Sequence, residues 1–179
     1  MLEIAPGVFM KESPINQPGM PVLRNHHDLF AHVVRISKGF ALDTGQEIPP
    51  TIHLANDQVL WTLCSNFFSA PDSKALMTSL VKRLARKLGA WAYCCVFEAH
   101  IRMLGNGFSG QKRDTIIIYA RGIDTPTLVK TIYRERDAST RKLQLVECDE
   151  VDDGLISLGG WYLDILEYAG GNGPEKRIQ

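Results

Sequence analysis

The amino-acid sequence predicts an α+β fold: a mainly antiparallel sheet of about five or six strands with two helices packed on one face. Three observations carry this expectation. Two segments place apolar residues at the i, i+4, i+8 spacing of a core-facing helix stripe, and several others alternate or run apolar as strands do. The later strands are joined by short connections, which favour antiparallel pairing. The chain has 179 residues, 45% hydrophobic and 22% charged. That is near globular averages and long enough to bury a core without a disulfide or metal staple.

Residues 1–21 contain Pro6, Pro14, Pro18 and Pro21 with Gly7 and Gly19, and predict an extended arm with at most one short strand near 4–10. Asn25 is a helix cap, and the first helix is expected over 26–42. Its inward stripe is Leu29, Phe30, Val33, Val34, Ser37, Phe40 and Ala41. Asp43-Thr44-Gly45 closes the helix, and Pro49-Pro50 prevents its continuation. Residues 51–55 and 58–65 flank the turn Asn56-Asp57 and predict a hairpin. Val59, Trp61 and Leu63 fall on one side of its second strand, and Leu60, Thr62 and Cys64 on the other.

The second helix is capped by Asp72 or Ser73, carries the stripe Leu76, Met77, Leu80, Val81, Leu84 and Leu88, and ends at Gly89. An aromatic and β-branched strand over 90–99 follows it. Residues 103–113, with Gly105, Gly107 and Gly110, predict an irregular loop. Residues 114–122 are nearly all apolar in their middle and predict a central strand. Residues 128–136 and 142–148 predict a hairpin at the sheet edge, joined by a polar loop over 137–141. The pattern leaves the type of 155–168 open. The expected organisation is an arm over 1–21, one α+β domain over 22–169 and a flexible tail over 170–179.

Charge and composition narrow the function classes. Twenty basic residues balance twenty acidic ones, so no global field favours a nucleic-acid or anionic-membrane partner, although a local patch stays open. No apolar run approaches the roughly 18 residues of a membrane helix, and the first residues lack the pattern of a secretion signal. Cys64, Cys94, Cys95 and Cys148 lack metal-type spacing, and adjacent Cys94 and Cys95 point to opposite faces of a strand. Reduced, mostly buried thiols in a cytoplasmic protein are expected, with no cofactor and no metal.

Three groups of candidate residues remain. Alternation along the central strand puts Cys94, Glu98, His100 and Arg102 on one face. Glu98 could orient His100 as a general base, with Cys94 as the nucleophile. The structural alternative is a strand emerging into solvent, where Glu98 and Arg102 neutralise each other. Residues 105–110 match G-x-G-x-x-G, yet a strand rather than a helix follows, so no dinucleotide site is expected. Arg102, Lys112 and Arg113 nevertheless make that segment a candidate anion-binding loop. Lys82, Arg83, Arg86 and Lys87 on the second helix are a solvated face or a contact surface for nucleic acid or an acidic partner. His26, His27, His32 and His53 do not have metal-ligand spacing.

Pro49-Pro50 before a strand, the basic helix, AWAYCCVFEAH and DTIIIYARG together resemble a group of small uncharacterised bacterial and phage α+β proteins. In that group a helix precedes a strand ending in a Ser-Glu-Ala-Trp-like tetrapeptide, here Phe97-Glu98-Ala99-His100, with His100 in place of the aromatic. The resemblance covers about 48–148 and implies a fold without an activity. The expected function is a non-enzymatic interaction protein of phage or mobile-element origin, binding a protein partner or a second copy of itself. The alternatives are a hydrolase-like enzyme using Glu98 and His100, and a nucleic-acid binder using the basic helix.

Overall fold

The computed structural model describes residues 1–65, 71–105, 108–140 and 142–148, with side chains at 1–65, 77–100, 114–140 and 142–147. The elements are β1 (Leu2–Ala5), β2 (Val8–Pro14), α1 (His26–Thr44), β3 (Thr51–Ala55), β4 (Val59–Ser65), α2 (Pro71–Leu88), β5 (Ala92–Gly105), β6 (Phe108–Gly122), β7 (Leu128–Arg136) and β8 (Leu143–Cys148). The strands form one antiparallel sheet of eight in the order β1-β2-β4-β3-β5-β6-β7-β8. The α+β class is as expected, but the sheet is wider than five or six strands. The additional strands come from residues 2–14, where Gly7 takes a positive φ of 68° and turns β1 back on β2. β2 then pairs with β4 from Val8↔Ser65 to Pro14↔Val59. Pro14 is tolerated because it sits at the strand terminus.

The expected placement of both helices on one face is corrected. Leu29, Val33 and Ala41 of α1 pack with Cys94 and Val96 of β5 and Ile116, Ile118 and Ala120 of β6. Met77, Val81 and Ala85 of α2 pack with Ile52, Leu54, Trp61, Leu63, Tyr93, Cys95 and Tyr119. Those two sets alternate along each strand, so α1 and α2 lie on opposite faces of the sheet. The cause is that β5 and β6 are apolar on both faces. A single helical layer would leave one of those faces in water.

Helix α1 has the cap the sequence predicts. Asn25 accepts from the Asp28 N–H at 3.0 Å, and Gly45 adopts a left-handed φ of 64° while its N–H reaches the Ala41 carbonyl. These contacts satisfy backbone groups that a helix leaves unpaired at its ends. α2 begins at Pro71, so Asp72 and Ser73 fall inside its first turn rather than at the cap. Proline suits that first position because its missing N–H has no intrahelical partner to lose.

The largest local difference is at 103–113. Instead of a loop, β5 runs on to Gly105 and β6 starts at Phe108, with register from Ala92↔Gly122 to Gly105↔Phe108 and a shift between Arg102 and Leu104. Among the described residues no helix is long and apolar enough to cross a membrane. The expected tail over 170–179 and the segment 155–168 lie outside the described residues.

Candidate functional site

The chemistry-bearing residues of β5 line the face covered by α1. Cys94 lies opposite His53 on β3 and Ala120 on β6, and is fully buried. Burial, and then the neighbouring Cys95, push its thiol well above the ordinary range, so it stays protonated. Cys94 and Glu98 are four positions apart on the strand, about 13 Å at the usual rise. Cys94 is therefore remote from the polar end of its own strand and is no thiolate nucleophile.

Glu98 is committed to the fold. Arg134 of β7 donates through Nη1 to both carboxylate oxygens, at 2.7 and 2.9 Å, and the two side chains are only 14% and 9% exposed. The Ile48 N–H donates to Glu98 Oε1 at 2.8 Å, and Arg134 Nη2 donates to the Gly45 carbonyl at 3.0 Å. These contacts pin the connection from α1 to β3 onto the sheet. A carboxylate filled in this way is bound to Arg134 rather than to His100, and the side chain of Arg102, expected to neutralise Glu98, lies outside the described side chains. His100 instead meets Asp114 across the β5–β6 pair, with Nδ1 and Oδ1 2.7 Å apart. That pair is open to water, at 66% and 62% exposure, which limits its energetic weight.

Beyond this pair β5 and β6 part from their outer neighbours, while β7 runs on to Arg136 paired with β8. β3 pairs with β5 only as far as Val96, and β7 with β6 only as far as Asp114. Among the described residues, 101–105 and 108–113 therefore pair only with each other, as an antiparallel ribbon leaving the end of the sheet. Arg102 stands opposite Lys112 on the α1 side, and Arg113 stands opposite Ile101 on the α2 side. The three residues predicted for an anion-binding loop thus share a projecting ribbon, and the literal G-x-G-x-x-G opens no helix.

The basic face of α2 divides into two ridges. Arg83 and Lys87 are exposed one turn apart, whereas Lys82 is half-buried and both Lys82 and Arg86 interact with other groups. A further titratable cluster, absent from the sequence reading as a unit, sits at the seam between α1 and the sheet. His53 is 3% exposed, contacts Thr62 Oγ1 through Nδ1 at 3.1 Å and has His32 of α1 nearby. Burial, reinforced by His32, lowers its basicity to about 3. Arg35 lies 3.2 Å from His32 Nδ1. Since guanidinium can only donate, His32 is neutral at that nitrogen. Among the described residues, no group of three or more His, Cys, Asp or Glu side chains is placed to hold a metal ion.

No family model, curated protein or solved structure matches the chain.

Two partners escaped the sequence reading, Arg134 for Glu98 and Asp114 for His100. Asp114 had a local signal, because Asn106-Gly107 is a favoured dipeptide for a two-residue hairpin and counting outward from it brings His100 near Asp114. Arg134 had none, since its approach depends on the order of strands across the sheet.

Proposed function

We propose that this protein is an interaction module whose contact element is the projecting β5–β6 ribbon. The observation that carries the proposal is that β5 and β6 go on pairing with each other after their pairing with β3 and β7 has stopped. Residues of a sheet that serve only the core end where their partners end. Here the paired backbone continues about 13 Å from Ile101 to Gly105, at the usual strand rise, in a stretch that includes Arg102, Leu104, Phe108 and Lys112. The sequence of this stretch combines apolar and cationic residues, the composition that a contact surface uses. An origin in a phage or mobile element belongs to the same proposal.

The enzyme alternative draws its remaining support from the His100–Asp114 contact. It is weakened by the commitment of Glu98 to Arg134 and by the buried, protonated Cys94.

The ribbon can be removed at its base, because Ile101 and Arg113 are register partners. Replacing 102–112 by Asn-Gly joins them through a two-residue turn. The full chain and this trimmed chain should fold with the same thermal midpoint. Affinity capture from host extract, together with light scattering for self-association, should recover a stoichiometric partner or dimer on the full chain alone. Recovery of the same partners by both chains would refute the proposal.

A further inference from the structure

We infer that the ribbon is a nucleic-acid contact, lying in the major groove of B-form DNA and meeting its phosphates with Arg102, Lys112 and Arg113. This rests on the reading of the ribbon as the contact element and names the chemistry of its partner. The first reason is charge segregation. Segment 101–113 holds three basic residues and no acidic one, in a chain whose net charge is zero and whose remainder is therefore acidic.

The second reason is register. Arg102 and Lys112 are directly opposed on one face, and Arg113 follows on the other. Like charges directly opposed across an antiparallel pair weaken it, so the arrangement does not serve the ribbon's own stability. Anions on both flanks convert that repulsion into attraction, and phosphates line both walls of a groove.

Dimensions supply the third reason. Strands about 4.8 Å apart with side chains on both faces make a ribbon close to the roughly 12 Å width of the major groove, which admits such a ribbon. The deep, narrow major groove of A-form RNA does not. The acidic groups near the ribbon's root, Glu98, Asp114, Glu135 and Asp137, all interact with other groups. Glu98 is held by Arg134, Asp114 by His100, and Asp137 by the Ser139 and Thr140 N–H and hydroxyl groups. The turn from β7 to β8 reaches the same end of the sheet and adds the exposed cation Lys142.

The test is fluorescence anisotropy of a labelled mixed-sequence DNA duplex titrated with the full chain across a salt series. Three phosphate contacts at about 0.9 each predict a log–log salt slope of about −2.7, hence about 40-fold weaker binding at 200 than at 50 mM salt. Arg102→Gln, Lys112→Gln and Arg113→Gln should each flatten the slope by about 1 and together abolish binding, at an unchanged urea midpoint. Arg83→Gln with Lys87→Gln on α2 should leave the slope unchanged. Absence of binding at the lowest salt, a slope untouched by the ribbon substitutions, flattening by the α2 pair, or equal binding to polyglutamate or duplex RNA would each overturn the inference. If DNA fails while the trimmed chain alone loses its captured partner, the inference falls and the contact-element reading stands. If trimming changes neither, both fall.

Discussion

Acid should loosen the seam between α1 and the sheet through His53. In the folded chain this imidazole is buried beneath α1 and stays neutral down to about pH 3, whereas an exposed histidine ordinarily titrates near 6.5. The unfolded chain therefore binds the proton first. Stability contributed by neutral His53 is complete above pH 6.5 and is lost as the pH falls from there toward 3. Integrating the difference in proton uptake between pH 7 and pH 5 predicts a loss of about 2 kcal/mol, a large part of the margin of an ordinary domain. The assay is urea denaturation at pH 7, 6 and 5 for the wild-type chain and His53→Asn, which keeps a donor toward Thr62 and cannot titrate. Most other groups titrate alike in both chains, so the wild-type advantage over the variant should shrink by about 2 kcal/mol across that range. A difference that stays constant within a few tenths of a kcal/mol would refute the reasoning, since a histidine that titrates alike in both states contributes no such slope.

Arg134→Leu should destabilise the chain by about 3–5 kcal/mol, because it removes the guanidinium that neutralises the largely buried Glu98 carboxylate, while Glu98→Gln combined with Arg134→Leu should recover part of that loss. Urea midpoints of the two single variants and the double variant check this, and additivity would show that the pair is not coupled. Cys94 and Cys95 should resist a thiol reagent in the native state, since both are buried and burial pushes the Cys95 thiol up to about 12. Cys94→Ala should therefore leave the number and rate of native labelling events unchanged, with a loss of one thiol only after denaturation. Loss of a fast-labelling thiol in the native Cys94→Ala chain would contradict its burial.

Local physical chemistry made much of this fold legible. Capping at Asn25, closure at Gly45, the stripe Leu29–Val33–Ser37–Ala41 and the strands from 51 to 65 follow from residue spacing and turn chemistry, because they depend on neighbours within a few positions. The strand alternation that set Cys94, Glu98 and His100 on one face held as well. Proline density concealed β1 and β2, although Pro6 lies in the turn between them and Pro14 at a strand end, where neither loses a ladder bond. Glycine density concealed the ribbon, where Gly105 and Gly110 stand inside strands.

Residue spacing alone thus determined two amphipathic helices, the apolar central strands and the identity of every candidate side chain. Tertiary structure decided which of those side chains have partners. Only the strand order brings Arg134 to Glu98, which turns the most suggestive carboxylate in the sequence into a fold contact. Only the point at which β3 and β7 stop pairing with β5 and β6 leaves Arg102, Lys112 and Arg113 on strand segments paired with each other alone among the described residues. The physical reason is range: capping, alternation and periodicity act over a few residues, whereas a charge far along the chain neutralises or frees a site only once the sheet has set its register.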